Sequence, residues 1–323
     1  MVIKALTEPT IIAMLQALLN RLNPSHPKRQ VIEESLAKYW SGYIGERSLV
    51  YYLNFLPKEC LIIHNLRLTY QNHSFQMDVL ILTPNFILIV EIKNHSGTLL
   101  FDEANQQLIQ TFNDQIKVYP DPVQQADLQA LQLRRLLEAS EYAALPVETL
   151  AVVTNPATLV KRASDNTPQY NRKIIRPTKL HEKVLSLNKR WAHSSFPIEK
   201  LKKLSELLIA WHTPKKEKIL EKFNIDPSEI RTGVQCPSCL EMPMRRHYGK
   251  WKCLKCLFTT ENEHIVTLKE YAYLIKPSIT CHEFQMFSHL PSHSTAKRLL
   301  RMANLPYTGT TKGRIYHLEL DGI

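Results

Sequence analysis

Asp78, Glu91 and Lys93 are spaced so that chemistry could follow from them: twelve residues separate the two carboxylates and one separates Glu91 from Lys93. They lie in two apolar runs, Gln76-Met77-Asp78-Val79-Leu80-Ile81-Leu82 and Phe86-Ile87-Leu88-Ile89-Val90-Glu91-Ile92-Lys93-Asn94, joined by Thr83-Pro84-Asn85. Side chains alternate faces along a strand, so Glu91 and Lys93 point the same way. In a hairpin symmetric about Pro84-Asn85, residues whose numbers sum to 169 face each other; Thr83 meets Phe86 and Asp78 meets Glu91. Opposed residues bring their Cβ atoms to about 4.5–5.5 Å. Two carboxylates that close among apolar neighbours repel each other and are costly to desolvate. A divalent cation relieves both costs, and magnesium takes one or two carboxylates with waters and phosphate oxygens. With Lys93 to stabilise a phosphorane's charge or orient an attacking water, the set suits metal-assisted phosphodiester hydrolysis. On their own the three residues fit a solvated strand face better than a metal site, and a bulge at the hairpin would move Asp78 off Glu91.

A second constellation is Cys236-Pro237-Ser238-Cys239 and Cys253-Leu254-Lys255-Cys256, with thirteen residues between the pairs. Four thiolates so spaced suit a closed, tetrahedral structural zinc. Redox chemistry is the weaker alternative, because thioredoxin-like pairs need a βαβ context that is missing here. Cys60 and Cys281 stand apart and read as buried thiols. Arg245, Arg246, His247, Tyr248, Lys250, Trp251 and Lys252 fall in or beside the hairpin between the cysteine pairs. The unit resembles a zinc ribbon, either contacting nucleic acid through that basic aromatic hairpin or serving as a purely structural clip.

These groups need elements to hold them. Ile11 to Leu22 reads as a short amphipathic helix, and Lys28 to Leu56 as one helix or two, with Gly42 and Gly45 as candidate interruptions. Three β-like runs follow at 60–68, 75–82 and 86–93, with further strands expected at 98–101 and 108–111. Val123–Ala139 is expected to be a helix with Leu128, Leu131, Leu136 and Leu137 on its apolar side. Strands at 149–154 and 173–176, then helices at 178–191 and 197–211, complete a mixed α/β core. A basic helix over 214–223 is read as part of a linker.

The helix bearing Gly45-Glu46, then Asp78, then Glu91-Ile92-Lys93-Asn94 with Gly97, resembles the nuclease-related domain (NERD) family, assigned to the PD-(D/E)XK nuclease superfamily, from about residue 44 to 159. The resemblance implies that Glu46 completes the metal site, that Asp78 and Glu91 are magnesium or manganese ligands, and that Lys93 is the active-site lysine. Asp121-Pro122-Val123-Gln124-Gln125 resembles the family's later Asn-Pro-x-x-Gln motif with Asp121 in place of Asn. Gln125 is then the auxiliary polar residue, with Gln124 as the other candidate.

Near the C-terminus, helices over 280–290 and 292–303 flank Pro291, and Ser292 is placed to cap the second. Ala296, Leu299, Leu300 and Met302 are assigned its apolar side, and Lys297, Arg298 and Arg301 another. With a hairpin from Leu305 to Leu320, the region resembles a winged helix-turn-helix. His293, Lys297, Arg298 and Arg301 on the helix, with Lys312 and Arg314 on the wing, are the expected nucleic-acid contacts, beside Arg245, Arg246, Lys250 and Lys252 of the ribbon. A docking domain with a merely solvated basic face is the alternative. His289 and His293 are assigned no metal, because Pro291 breaks the helix between them.

Composition supports a polyanionic partner. The 323 residues carry 41 Lys+Arg against 30 Asp+Glu, a net of +11, with 44% hydrophobic residues. Residues 1–157 hold 12 basic and 15 acidic side chains, and 158–323 hold 29 and 15. No apolar run approaches a membrane span and no secretion signal is recognisable, so a cytoplasmic protein is expected.

The combined expectation is an α/β chain: an N-terminal helical segment (1–30), a PD-(D/E)XK-type mixed sheet flanked by helices (31–213), a basic linker helix (214–233), a four-cysteine zinc ribbon (234–262) and a winged-helix-like unit (263–323). It would be a metal-dependent nuclease with structural zinc, acting on DNA or alternatively RNA, with no membrane partner or small-molecule cofactor. A DNA-binding regulator or adaptor that keeps the fold without cutting is the rival.

Overall fold

Alternating and continuous runs of Ile, Leu and Val between residues 61 and 153 build four strands of a six-stranded mixed sheet. The computed structural model describes residues 1–163, 168–193, 195–310 and 313–318. The chain clusters into two compact units, Met1–Glu8 with Trp40–Lys215, and Pro9–Tyr39 with Lys216–Ile323. After β1 (Val2–Lys4) come α1 (Thr10–Arg21) and α2 (Arg29–Leu53). The second of these is one continuous helix through Gly42 and Gly45, shared between the two sets of residues.

In the first unit β2 (Leu61–Tyr70), β3 (His73–Leu82) and β4 (Ile87–Lys93) form an antiparallel meander. Beyond β5 (Thr98–Asp102), β6 (Gln107–Phe112), β7 (Gln115–Pro120) and α3 (Pro122–Leu137), the chain returns as β8 (Val147–Val153), parallel to β4. Next are β9 (Leu159–Arg162), α4 (Pro168–Asn171), β10 (Ile174–Ile175), α5 (Leu180–Arg190) and α6 (Ile198–Ala210). Sheet order is β1-β2-β3-β4-β8-β10, with a separate sheet β7-β6-β5-β9. One face of the main sheet packs against α3 and α6 through Leu61, Leu80, Ile89, Ala130, Leu133 and Leu204, among others. The opposite face packs against α2 and α5 through Leu49, Leu53, Val79, Val90 and Val184. Two apolar layers on either side of a mostly buried sheet explain the unbroken hydrophobic run Ile87–Val90 of β4.

Two expectations for this unit need correction. In α3 the buried positions are Pro122, Val123, Ala126, Gln129, Ala130, Leu133 and Leu137. Leu128 is 57% exposed and Leu131 48%. The buried stripe follows 126-130-133-137, using small alanines where the helix meets the sheet, so the larger leucines turn outward. The strand β7, absent from the sequence reading, is exposed at nearly every residue and therefore carries no alternation to detect.

In the second unit α1 shares a core with α7 (Ile219–Phe223), Ile225, Ile230, Ile32 and Leu274. The residues read as a linker thus contribute Ile219, Leu220, Ile225 and Ile230 to a hydrophobic cluster. Only five of them are α-helical, and Lys215 and Lys216 precede that helix. The ribbon strands β11 (Arg245–His247), β12 (Lys250–Lys252) and β13 (Thr259–Thr260) form a three-stranded antiparallel sheet. The remaining elements are α8 (Glu263–Leu274), β14 (Ser278–Thr280), α9 (Cys281–Phe287), α10 (His293–Met302), β15 (Tyr307–Thr308) and β16 (Ile315–His317). The order helix, strand, helix, helix, then a two-stranded wing, with sheet order β14-β16-β15, is winged-helix-like. Trp251 of the ribbon and Phe284, Leu299 and Leu300 of the winged-helix-like region lie in one core cluster. Ser292 caps α10 by accepting from the Thr295 amide at 3.2 Å. Met302, assigned to the apolar side, is instead exposed, because Ala296, Leu299 and Leu300 already define the buried face. Cys60 is buried as expected, whereas Cys281 at the start of α9 is only half-buried.

By unit, the charge divides as 21 Lys+Arg against 17 Asp+Glu in the first, and 20 against 13 in the second. Residues 158–215, rich in lysine and arginine, belong with the acidic segment that precedes them.

Candidate active site

The β3–β4 pairing runs Val79↔Val90, Leu80↔Ile89, Ile81↔Leu88 and Leu82↔Ile87, each pair summing to 169. The ladder stops before Asp78 and Glu91, and beyond that point β4 continues beside β8 alone. Two strands that part company leave amides unpaired, and here the Asp78 side chain takes over: its Oδ2 accepts from the Ile92 amide at 2.8 Å. On the other side of β3, the register between His64↔Val79 and Leu66↔Met77 puts Asn65 opposite Asp78, with Asn65 in the left-handed region at φ 49°. Asp78 therefore sits where both neighbouring ladders are interrupted.

Glu91 is 3% exposed. Its Oε1 pairs with Lys93 Nζ at 2.7 Å, and its Oε2 accepts from Gln129 Nε2 at 3.1 Å. Lys93 Nζ also donates to Gln125 Oε1 at 3.2 Å. Gln125 is thus the residue of α3 that contacts Lys93. Asp121 starts this helix by accepting from the Val123 amide at 2.7 Å, and the Tyr170 hydroxyl donates to its other oxygen at 2.5 Å. Glu46 reaches the site from α2, where its Oε2 accepts from Asn65 Nδ2 at 2.8 Å. The helix comes this near because residue 45 is glycine: a Cβ there would fall 2.5 Å from Asn94 Cβ and 3.0 Å from Thr154 Oγ1. Asn94 Nδ2 completes the clasp by donating to the Ser41 carbonyl at 2.8 Å.

Desolvation first, then the charges of Glu91 and Glu46, push the Asp78 carboxyl well above its ordinary range. The Glu46 carboxyl is raised as well, mainly by burial and also by Glu91. Three acids opposed by Lys93 make a donor set with uncompensated negative charge, which a divalent cation fits. They do not close into a tight ligand cage. Among the described residues only Cys236, Cys239, Cys253 and Cys256 form a group of three or more close enough to hold a metal without rearrangement. Magnesium, which keeps several waters, needs only one or two of the carboxylates directly.

The four sulfur atoms lie within 4.8 Å of one another, with Cys236–Cys256 at 3.6 Å and Cys239–Cys253 at 3.5 Å. All six cysteines are free thiols. A tetrahedron with bonds of about 2.3 Å has edges of about 3.8 Å, so the cluster fits a structural zinc.

Sequence reasoning missed Gln129, Asn65, Gln76 and Lys4. Gln129 Nε2 also donates to the Gln76 carbonyl at 2.9 Å, while Gln76 Nε2 donates to Asn65 Oδ1 at 3.3 Å. Lys4 Nζ donates to the carbonyls of His64 and Asn65 at 2.8 and 3.3 Å. A glutamine on the buried stripe of α3 was the signal available for Gln129.

The expected nucleic-acid contacts divide into two groups. His293, Lys297, Arg298 and Arg301 are exposed on one side of α10, and Arg245, Lys250 and Lys252 are exposed on the ribbon hairpin. Arg246 instead lies over the Trp251 ring at 5.1 Å and donates to the Glu261 carbonyl at 2.9 Å, and Arg314 lies over Tyr307 at 3.9 Å. Lys312 falls outside the described residues.

Residues 41–154 match the family model of the nuclease-related domain, NERD, and the chain carries a domain of that family. No curated protein and no solved structure matches the chain. No helix among the described residues is long and apolar enough to cross a membrane.

Proposed function

We propose that this nuclease-related domain belongs to a metal-dependent nuclease that hydrolyses phosphodiester bonds of DNA. The observation that carries the reading is the fork between β3 and β4, where Asp78, Glu91, Lys93, Gln125 and the α2 residue Glu46 converge. Asp78 and Glu91, with Glu46 beside them, would hold magnesium or manganese, and such an ion would polarise the phosphoryl group and lower the pKa of water. Lys93, steadied between Glu91 and Gln125, is a fixed positive charge available to the charge that develops on the phosphoryl oxygens. Gln129 orients Glu91 from within the core, so that the carboxylate presents a defined edge to the site. In the second unit the exposed cations of α10 and the ribbon would supply affinity through phosphate contacts, and the four cysteines would hold zinc structurally.

The test is cleavage of single-stranded DNA, duplex DNA and RNA by the purified chain, with and without magnesium or manganese. Glu91→Ala should reduce metal-dependent cleavage by about 10²–10³-fold or more, a loss typical of an essential electrostatic group. Unchanged cleavage in that variant overturns the site. Binding without cleavage by the wild-type chain in both metals would make it a DNA-binding adaptor, and preferential cleavage of RNA would replace DNA as the substrate.

A further inference from the structure

The ribbon hairpin pairs Arg245 with Lys252, Arg246 with Trp251 and His247 with Lys250. Alternation then sorts the side chains by face. Arg246 and Trp251 turn inward, Trp251 being fully buried, while Arg245, His247, Lys250 and Lys252 line the exposed face. Arg245 and Lys252 are directly opposed like charges, a destabilising cross-strand pair, and among the described residues neither has a carboxylate partner. Lys250 has only Glu261, at 3.7 Å.

The hairpin is closed by Tyr248 and Gly249, both at positive φ, 42° and 78°. Such a turn favours Asn-Gly or Asp-Gly, and a bulky residue at its first position is strained. Tyr248 nevertheless stands there 92% exposed, with no core to bury it. Its ring packs edge-on against His247 at 4.1 Å, which holds it at the end of the cationic face. Strain retained where packing gains nothing marks a position kept for its side chain's contacts.

We propose that Tyr248 is a stacking platform for an unpaired base, and that Arg245, Lys250 and Lys252 track the adjoining phosphates, so that the ribbon binds single-stranded DNA. An aromatic ring at the tip of a cationic strip matches the alternation of base and phosphate along a single strand, whereas a duplex keeps its base faces stacked away. The inference rests on the reading that the second unit binds nucleic acid and names the form of DNA it takes.

Fluorescence anisotropy of labelled oligothymidylate and of a duplex of equal length, without added magnesium, tests it on the full chain. Tyr248→Ala should weaken single-strand binding about tenfold, the lower part of the range for one base–aromatic stack, and change duplex binding less than about twofold. Tyr248→Trp should retain single-strand affinity, its indole fluorescence quenched on binding. Tyr248→Asn should relieve the turn and raise the ribbon's thermal stability while losing affinity as the alanine variant does, a combination that a merely structural tyrosine would not produce. Equal losses on both DNAs, or none, would overturn the stacking role. Wild-type protein that binds duplex but not the single strand also overturns it while sparing the broader reading; failure to bind either DNA removes both.

Discussion

Two strand pairs in this molecule bring like charges near each other, one at the end of its ladder and one within it, and they do so in opposite surroundings. At the β3–β4 fork Asp78 and the buried Glu91 repel each other, and Lys93, the Ile92 amide and Gln129 offset that repulsion. At the β11–β12 hairpin Arg245 and Lys252 face each other in water, where repulsion is weak. The first arrangement calls for a compact counter-ion of high charge density seated at one place. The second is served by a diffuse polyanion that neutralises several cations along a line. If the proposed function holds, burial decides which kind of ligand each like-charged pair would take.

The comparison breaks first at Gln129. Gln129→Leu keeps the size of the side chain but leaves Glu91 Oε2 without its donor. The magnesium concentration for half-maximal cleavage should rise about 10–100-fold, with DNA affinity in the absence of metal unchanged. An unaltered metal requirement would show that Glu91 needs no orienting partner. Salt gives the next effect. If Arg245, Lys250 and Lys252 each meet a phosphate, raising salt from about 50 to about 200 mM should weaken single-strand binding roughly twentyfold. Single-turnover cleavage of DNA already bound should change less than about twofold; an equal salt response would mean that one electrostatic account covers both regions. The smallest effect concerns acid. Burial first, then the Arg246 charge, lowers the His264 pKa to about 4, and Trp251 Nε1 donates to its Nδ1 at 3.4 Å. The unfolded chain takes up this proton near pH 6.5, so the neutral ring's contribution is present above that pH and is lost as pH falls toward 4. Urea unfolding at about pH 5.5 should show about 1 kcal/mol less stability from this group than at about pH 7.5, a difference that His264→Phe removes.

Much of the fork was legible in the sequence because its geometry is local. The tight turn at Pro84-Asn85 between two apolar runs fixes the register, which leads to Asp78 and Glu91 at the position where the ladder ends. The lysine followed from alternation. What escaped depends on contacts distant in sequence. Gln129 meets Glu91 across 38 residues, and Asn65 meets Glu46 through a left-handed residue that no hydrophobic period signals. Gly45 read as a helix interruption, yet its meaning is close approach: tertiary packing overrides weak helix propensity and presses α2 against Asn94. The 214–233 stretch read as a linker because lysines dominate its first residues. Its scattered Ile219, Leu220, Ile225 and Ile230 acquire a purpose only against α1, some two hundred positions earlier.

The Asp78–Ile92 hydrogen bond also gives the fork a reporter. An amide donating to a carboxylate resonates differently from one in a regular ladder, and its exchange with deuterated solvent depends on how firmly the acceptor stays in place. The proton on Ile92 thus lies one hydrogen bond from the Asp78 carboxylate, on an apolar residue. In a nitrogen-15 spectrum this single amide would test the proposed site, shifting if an ion binds at the fork.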